Sequence, residues 1–141
     1  MTSILIVENH TELRKMIKEL LKKHRKSLEI IETGTGKKGI SQAVVHRPDI
    51  VLLDIVLPDM DGITVARKIK KEVRESKIIL LKMFVTKNVI EVYKPSFVKA
   101  IIGKNEIFEK LISIIEKYSK KTKRWDGRNR KEGKDKEDKW K

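Results

Sequence analysis

The 141-residue sequence contains no cysteine. That removes disulfide frameworks and thiolate metal sites from consideration and suits a reducing compartment. The three histidines, His10, His24 and His46, share no metal-ligand spacing and read as structural or surface residues. No Ser/His/Asp arrangement for nucleophilic catalysis can be assembled. No apolar run approaches the roughly 20 residues of a membrane span, so no membrane partner is expected. The chain enters an apolar segment at Ile4 without a basic leader, so a cytoplasmic protein without a signal peptide is expected. Apolar residues are lean at 39%, yet the length fits one domain of about 100–200 residues, which buries roughly two thirds of its unfolded surface.

Charge is abundant and lopsided: 34 Lys and Arg face 20 Asp and Glu, for a formal +14. Residues 120–141 hold eleven of the cations and five of the acids, a net +6, and have no aliphatic side chain. Such a stretch cannot bury enough surface to offset its ordering entropy. The expected organisation is a folded domain over 1–119 and a disordered basic tail over 120–141. Trp125 and Trp140 within that tail suggest a nucleic-acid contact, with cations on phosphates and aromatics on bases. The five acids interrupt any continuous cationic stripe.

The first 119 residues alternate strand and helix signals. Ile4-Leu5-Ile6-Val7, Ile50-Val51-Leu52-Leu53 and Ile78-Ile79-Leu80-Leu81 are short, continuous apolar runs, as in strands buried on both faces. Leu28 to Glu32 and Phe97 to Ile102 read as two more. Between them, Leu13, Met16, Ile17, Leu20 and Leu21 recur at helical spacing after an Asn9 N-cap with Glu12 three residues on. Thr35 caps a second helix that Pro48 stops. A third carries Ile63, Ala66, Ile69 and Val73 after a loop punctuated by Pro58 and Gly62. A short helix is predicted around residues 89–93, and a last one follows Asn105.

This pattern predicts an α/β fold, a doubly wound (βα)5 unit with a five-stranded parallel sheet. The flavodoxin-like strand order 2-1-3-4-5 is expected, and ligands of such sheets sit beyond the carboxyl ends of strands 1 and 3. At those ends stand Glu8 and Asn9, Asp54, Lys82 and, after Gly103, Lys104. Charges at the tips of apolar strands are costly unless paired or solvated. Glu8 and Asp54 are therefore expected in one pocket, with Lys82 and Lys104 approaching from the other side.

Two segments now support a resemblance. Ile4-Leu5-Ile6-Val7-Glu8-Asn9-His10 is similar to the opening of response-regulator receiver domains, where an acidic pair closes the first strand. The stretch from Pro48 through Asp54, Pro58, Asp61 and Gly62 resembles the phospho-acceptor segment of that family. The resemblance covers about residues 3–118. It implies a phosphorelay module rather than an enzyme, in which Asp54 accepts a phosphoryl group from a histidine kinase or phosphotransfer protein. It also implies Mg²⁺ beside Asp54, with Glu8, Asn9 and the Val56 carbonyl as further oxygen donors. Lys104 stands where the family has its phosphoryl-contacting lysine. A homodimer through the face of the fourth helix, fifth strand and fifth helix is a further expectation from the resemblance.

Three positions depart from the family pattern. Asn9 replaces the usual Asp of the pair, and Lys82 replaces the Ser or Thr that follows the phosphoryl group during switching. Ile101 stands where a rotating Tyr or Phe is common. Two acids against two lysines bring the pocket charge to 0, where an ordinary receiver has −2. Weak Mg²⁺ binding is expected, and a pseudo-receiver acting by phosphorylation-independent protein binding is the variant reading. Separately, Gly34-Thr35-Gly36-Lys37-Lys38-Gly39 matches a dinucleotide-binding G-x-G-x-x-G, although it follows the second strand rather than the first.

Overall fold

The computed structural model describes residues 2–83 and 94–119. Five strands form one sheet: β1 (Ser3–Val7), β2 (Glu29–Thr33), β3 (Ile50–Asp54), β4 (Lys77–Lys82) and β5 (Val98–Gly103). They pair in parallel in the order β2-β1-β3-β4-β5, as the alternating pattern requires. Among the described residues the helices are α1 (Thr11–His24), α2 (Gly36–His46), α3 (Gly62–Glu72) and α4 (Ile107–Ser119). The short helix expected around residues 89–93 lies outside the described residues, as does the basic tail over 120–141.

Strand residues alternate between two apolar layers, because successive side chains leave opposite faces of a sheet. Leu5, Val7, Val51, Leu53, Ile78 and Leu80 pack under α2 and α3 with Ala43, Val65 and Ile69. Ile4, Ile6, Ile50, Leu52, Ile79 and Leu81 pack under α1 and α4 with Ile17, Leu21, Leu111 and Ile115. Each of the buried Val, Leu and Ile side chains contributes roughly 1.5–3 kcal/mol by leaving water. With both faces covered, the central strands have no polar face, which explains their unbroken Ile, Leu and Val runs.

Two predicted caps fall elsewhere. The N-cap of α1 is His10, whose Nδ1 accepts the Leu13 amide at 3.2 Å, rather than Asn9. The Asn9 side chain instead donates to the Gly34 carbonyl at 3.1 Å, joining the loops after β1 and β2. Ahead of α4, residues Lys104–Glu106 form a 3-10 turn, and Glu106 accepts the Gly103 amide at 3.3 Å. Asn105 lies inside that turn and is not the cap. Thr35 does cap α2, accepting the Lys38 amide.

Gly62 opens α3 at a point of very close approach. A Cβ there would lie 2.3 Å from the Asp54 carbonyl oxygen and 2.5 Å from the Ile55 Cα. Its amide donates to the Ile55 carbonyl at 2.7 Å. Only glycine lets the chain fold back onto the end of β3 this tightly.

Candidate functional site

The registers alone bring the charges together. Val7 pairs with Leu53 across β1 and β3, so the next residues, Glu8 and Asp54, are neighbours. Lys82 pairs with Gly103 across β4 and β5, which brings Lys104 to the same end. A cleft of about 380 Å³ opens there, lined by Glu8, Asn9, His10, Asp54, Val56, Lys82 and Lys104 among others. The structure thus gathers the strand-tip residues singled out from the sequence.

Glu8 is 1% exposed and Asp54 5% exposed. The Lys104 ammonium lies 2.9 Å from Asp54 Oδ2 and 3.1 Å from Glu8 Oε1. Lys82 lines the cleft, but the cation seated between the two carboxylates is Lys104. At 2.9 Å and an effective dielectric of 20, one such attraction is about 6 kcal/mol before desolvation is subtracted. The other Asp54 oxygen, Oδ1, accepts the Val56 amide at 3.0 Å, which fixes the carboxylate's rotation.

Glu8 is held by backbone groups. Its Oε2 accepts the His10 amide at 3.0 Å, and its carbonyl accepts Arg14 Nη1 at 2.6 Å. Burial raises the Glu8 carboxyl above its ordinary value of 4.5; the Asp54 charge adds to this, while the His10 amide and Lys104 oppose it. For Lys104 desolvation is the largest single influence and acts downward, yet the hydrogen bonds and charges of Asp54 and Glu8 together leave it raised.

Glu8 Oε1 is buried and has no hydrogen-bond partner among the described residues. It lies close to the Lys104 ammonium but off the hydrogen-bonding direction, so it has the charge contact without the bond. A buried carboxylate oxygen left in this condition is a natural ligand for a hard cation. The donors available are all oxygen: Asp54, Glu8, the Asn9 amide and the Val56 carbonyl. Among the described residues no cluster of three acidic, His or Cys side chains could hold a metal, because Asn9 supplies no charge.

The remaining positions lie outside the charged cluster. Ile101 is 7% exposed and packs in the layer under α2 and α3 rather than lining the cleft. Pro58 lies exposed in the loop after β3. The rim is apolar at Val56 and Met83, both exposed.

Three contributors had escaped the sequence reading. Arg14 looks like an ordinary polar-face residue, yet it spans Glu8 and Glu32. His10 both caps α1 and steadies Glu8. Asp59 reaches across to α2, where its carboxylate accepts the Gly36 and Lys37 amides at 2.8 and 2.9 Å. Those amides, Lys37 first, hold the Asp59 carboxyl below its ordinary value. The same contact answers the G-x-G-x-x-G reading. The helix-terminal amides that would cradle a phosphate already carry a carboxylate, and a Cβ on Gly36 would meet Val65 at 2.7 Å. The glycine there serves helix packing.

Comparison with known proteins agrees with this fold. The family model of the response regulator receiver domain matches residues 4–116. The chemotaxis protein CheY of Bacillus subtilis is 37% identical over 78 residues, covering 55% of this chain and 63% of that protein. The response regulator protein VraR of Staphylococcus aureus is 32% identical over 92 residues, 64% of this chain and 43% of that one. The matches thus span roughly half the length of these relatives. Among solved structures, a LuxR-family DNA-binding response regulator from Staphylococcus aureus superposes with a TM-score of 0.74 at 29% identity, covering 84% of this chain and 99% of that one. TrrA from Thermotoga maritima, solved in complex with Mg²⁺-BeF, gives 0.73 at 26% identity over 84% and 99%.

Proposed function

The chain belongs to the response regulator receiver domain family, and from that premise we propose that Asp54 accepts a phosphoryl group in a phosphorelay and thereby switches a protein contact surface. The observation carrying this reading is the buried Asp54 carboxylate at the end of β3, steadied by the Val56 amide and facing the Lys104 ammonium across a shared pocket with Glu8. The donor is a phosphohistidine on a histidine kinase or a phosphotransfer protein. An Asp54 oxygen attacks phosphorus, the P–N bond to the donor imidazole breaks, and that nitrogen recovers a proton.

The residues here meet the main difficulty of the step, which is bringing an anion onto an anionic phosphoryl group. Lys104 offsets the charge of Asp54 and, as a point charge, can follow the phosphoryl oxygens. Val56 holds one Asp54 oxygen in a fixed direction. Lys82, at the tip of β4, lines the cleft that an incoming phosphoryl group enters. With Ile101 on β5 it occupies the family's switching positions. Bound Mg²⁺ supplies further charge neutralisation, and Glu8, Asp54, Asn9 and the Val56 carbonyl are the groups to hold it. With two acids against two lysines the site binds it weakly.

Function resides in the unit over 1–119, with 120–141 as a basic appendage. The activity is that of a phospho-acceptor rather than a turnover enzyme. The protein acts in the cytoplasm; among the described residues no helix is long and apolar enough to cross a membrane.

The test is incubation with acetyl phosphate and Mg²⁺, read by intact mass. A gain of one phosphoryl group that disappears in Asp54→Ala is the expected result. No gain in the wild-type chain, with partner binding nonetheless retained, overturns it in favour of the pseudo-receiver.

A further inference from the structure

Helix α3 carries Arg67, Lys70 and Lys71, with both lysines three or four residues from Arg67 and so neighbours of it on the helix surface, and Arg74 follows two residues past the helix end. They border one open groove of about 370 Å³ together with Phe97, at the start of β5. Arg67, Lys71 and Arg74 are exposed. Among the described residues none of the four has a carboxylate partner within ion-pair distance. The nearby Glu75 is committed to Arg47, which grips both of its oxygens at 2.8 and 3.1 Å.

The crowding is felt by Lys70. Burial lowers its ammonium first, and the charges of Lys99 and Lys77 push the same way, while the Glu75 carboxylate opposes them. Lys70 itself donates to the Ser76 carbonyl at 2.7 Å and Lys77 to the Tyr118 carbonyl on α4, so the exposed cations of this groove are Arg67, Lys71 and Arg74, far along the strands from Asp54. A surface salt bridge contributes little, but uncompensated like charges in a row cost stability. Other exposed lysines, such as Lys15 and Lys23 on α1, also stand without an ion pair among the described residues; what sets this face apart is that its cations border one groove.

We propose that this face of α3 docks an acidic segment of a partner protein. Charge complementarity commits the occupant. The guanidinium groups of Arg67 and Arg74 match carboxylates bidentately. Glutamates three or four residues apart on a partner helix would meet the cations that border this groove. Phe97 supplies an apolar floor. Its ring already carries the Arg67 guanidinium 5.8 Å from its centroid, so it offers a packing surface under a salt bridge rather than a free face for stacking a base. Three exposed cations also offer few phosphate contacts, against the roughly 6–10 of a protein whose affinity rests on the nucleic-acid backbone.

The experiment uses the full chain and three labelled probes in fluorescence anisotropy. One is a helical peptide with glutamates at positions i, i+3, i+4 and i+7. The second has the same composition with its glutamates spread around the helix. The third is a single-stranded RNA. The proposal expects the patterned peptide to bind best and the triple variant R67E/K71E/R74E to weaken it by about tenfold or more, three exposed pairs becoming three repulsions. The variant K15E/K23E/K26E changes the net charge equally on α1 and the turn after it, where all three lysines are exposed, and should leave binding within about threefold. Circular dichroism confirms that both variants fold. Equal weakening in the two variants, equal binding of the two peptides, or RNA outcompeting the patterned peptide at the α3 face each overturn the proposal. None of these readouts depends on phosphorylation of Asp54.

Discussion

Replacing Lys104 by Met removes the cation that lies between two nearly buried carboxylates while keeping most of the side-chain volume. The ammonium sits 2.9 Å from Asp54 and 3.1 Å from Glu8, and both attractions vanish with it. Their gross strength is largely cancelled by desolvation, so the net cost arises from the uncompensated carboxylates left behind. Breaking a buried pair from one side typically costs about 3–5 kcal/mol. Lys104 is still 17% exposed, which places the expected destabilisation near the lower end, about 3 kcal/mol. For a domain of this size that is a fall of roughly 10 °C in Tm.

The pH dependence sets this effect apart from simple loss of packing. Glu8 is already raised above 4.5 by burial, and without Lys104 it rises further. Between 4.5 and that raised value the folded state binds more protons than the unfolded chain, so stability falls as pH rises through this window. Below 4.5 both states are protonated and the penalty vanishes. The contribution of Lys104 itself, raised above 10.5, is lost only at higher pH, so a scan from pH 5 to 8 reads the carboxylates. Thermal unfolding by circular dichroism across that range, with and without Mg²⁺, is the assay. The expected result is a deficit largest at pH 8, smaller at pH 5 and partly recovered by Mg²⁺. A deficit under about 1 kcal/mol, or one equal at both pH values, would refute the reasoning.

Further outcomes follow from the same geometry. The double change Asn9→Asp with Lys82→Thr takes the pocket from 0 to −2 and should tighten Mg²⁺ by about tenfold or more, read by isothermal titration calorimetry. Unchanged affinity would mean that pocket charge does not limit binding. Gly62→Ala drives a methyl into the Asp54 carbonyl at 2.3 Å and should cost about 1–3 kcal/mol in urea unfolding along with reduced labelling by acetyl phosphate. Wild-type stability there would contradict the close approach. Arg14→Ala should lower Tm by a few degrees and slow labelling without abolishing it, since it supports Glu8 only through the backbone carbonyl; complete loss would assign Arg14 a direct role.

The layered fold was legible because its strands are buried on both faces: Ile50 to Leu53 can be read as little else. The candidate pocket was legible for a related reason, since Glu8, Asp54 and Lys82 are abrupt charges after apolar runs, and the parallel order brings those ends together. What the sequence concealed are contacts between loops distant along the chain. Nothing around Asp59 announces that its carboxylate will sit on α2, and nothing distinguishes Asn9 from His10 as the cap. That choice depends on Asn9 finding Gly34, 25 residues away. The choice of Lys104 over Lys82 as the bridging cation was equally hidden, because it follows from the tight turn over Lys104–Glu106 that starts the last helix.

The Asp59 contact has a mechanical consequence. The segment leaving Asp54 is closed end to end by the Gly62 amide on the Ile55 carbonyl and anchored midway by the Asp59 carboxylate across to α2. It cannot flap as an independent lid, and one added residue would have to break one of those anchorages. Any displacement of this segment pulls on the first turn of a helix that otherwise never touches the acidic cleft.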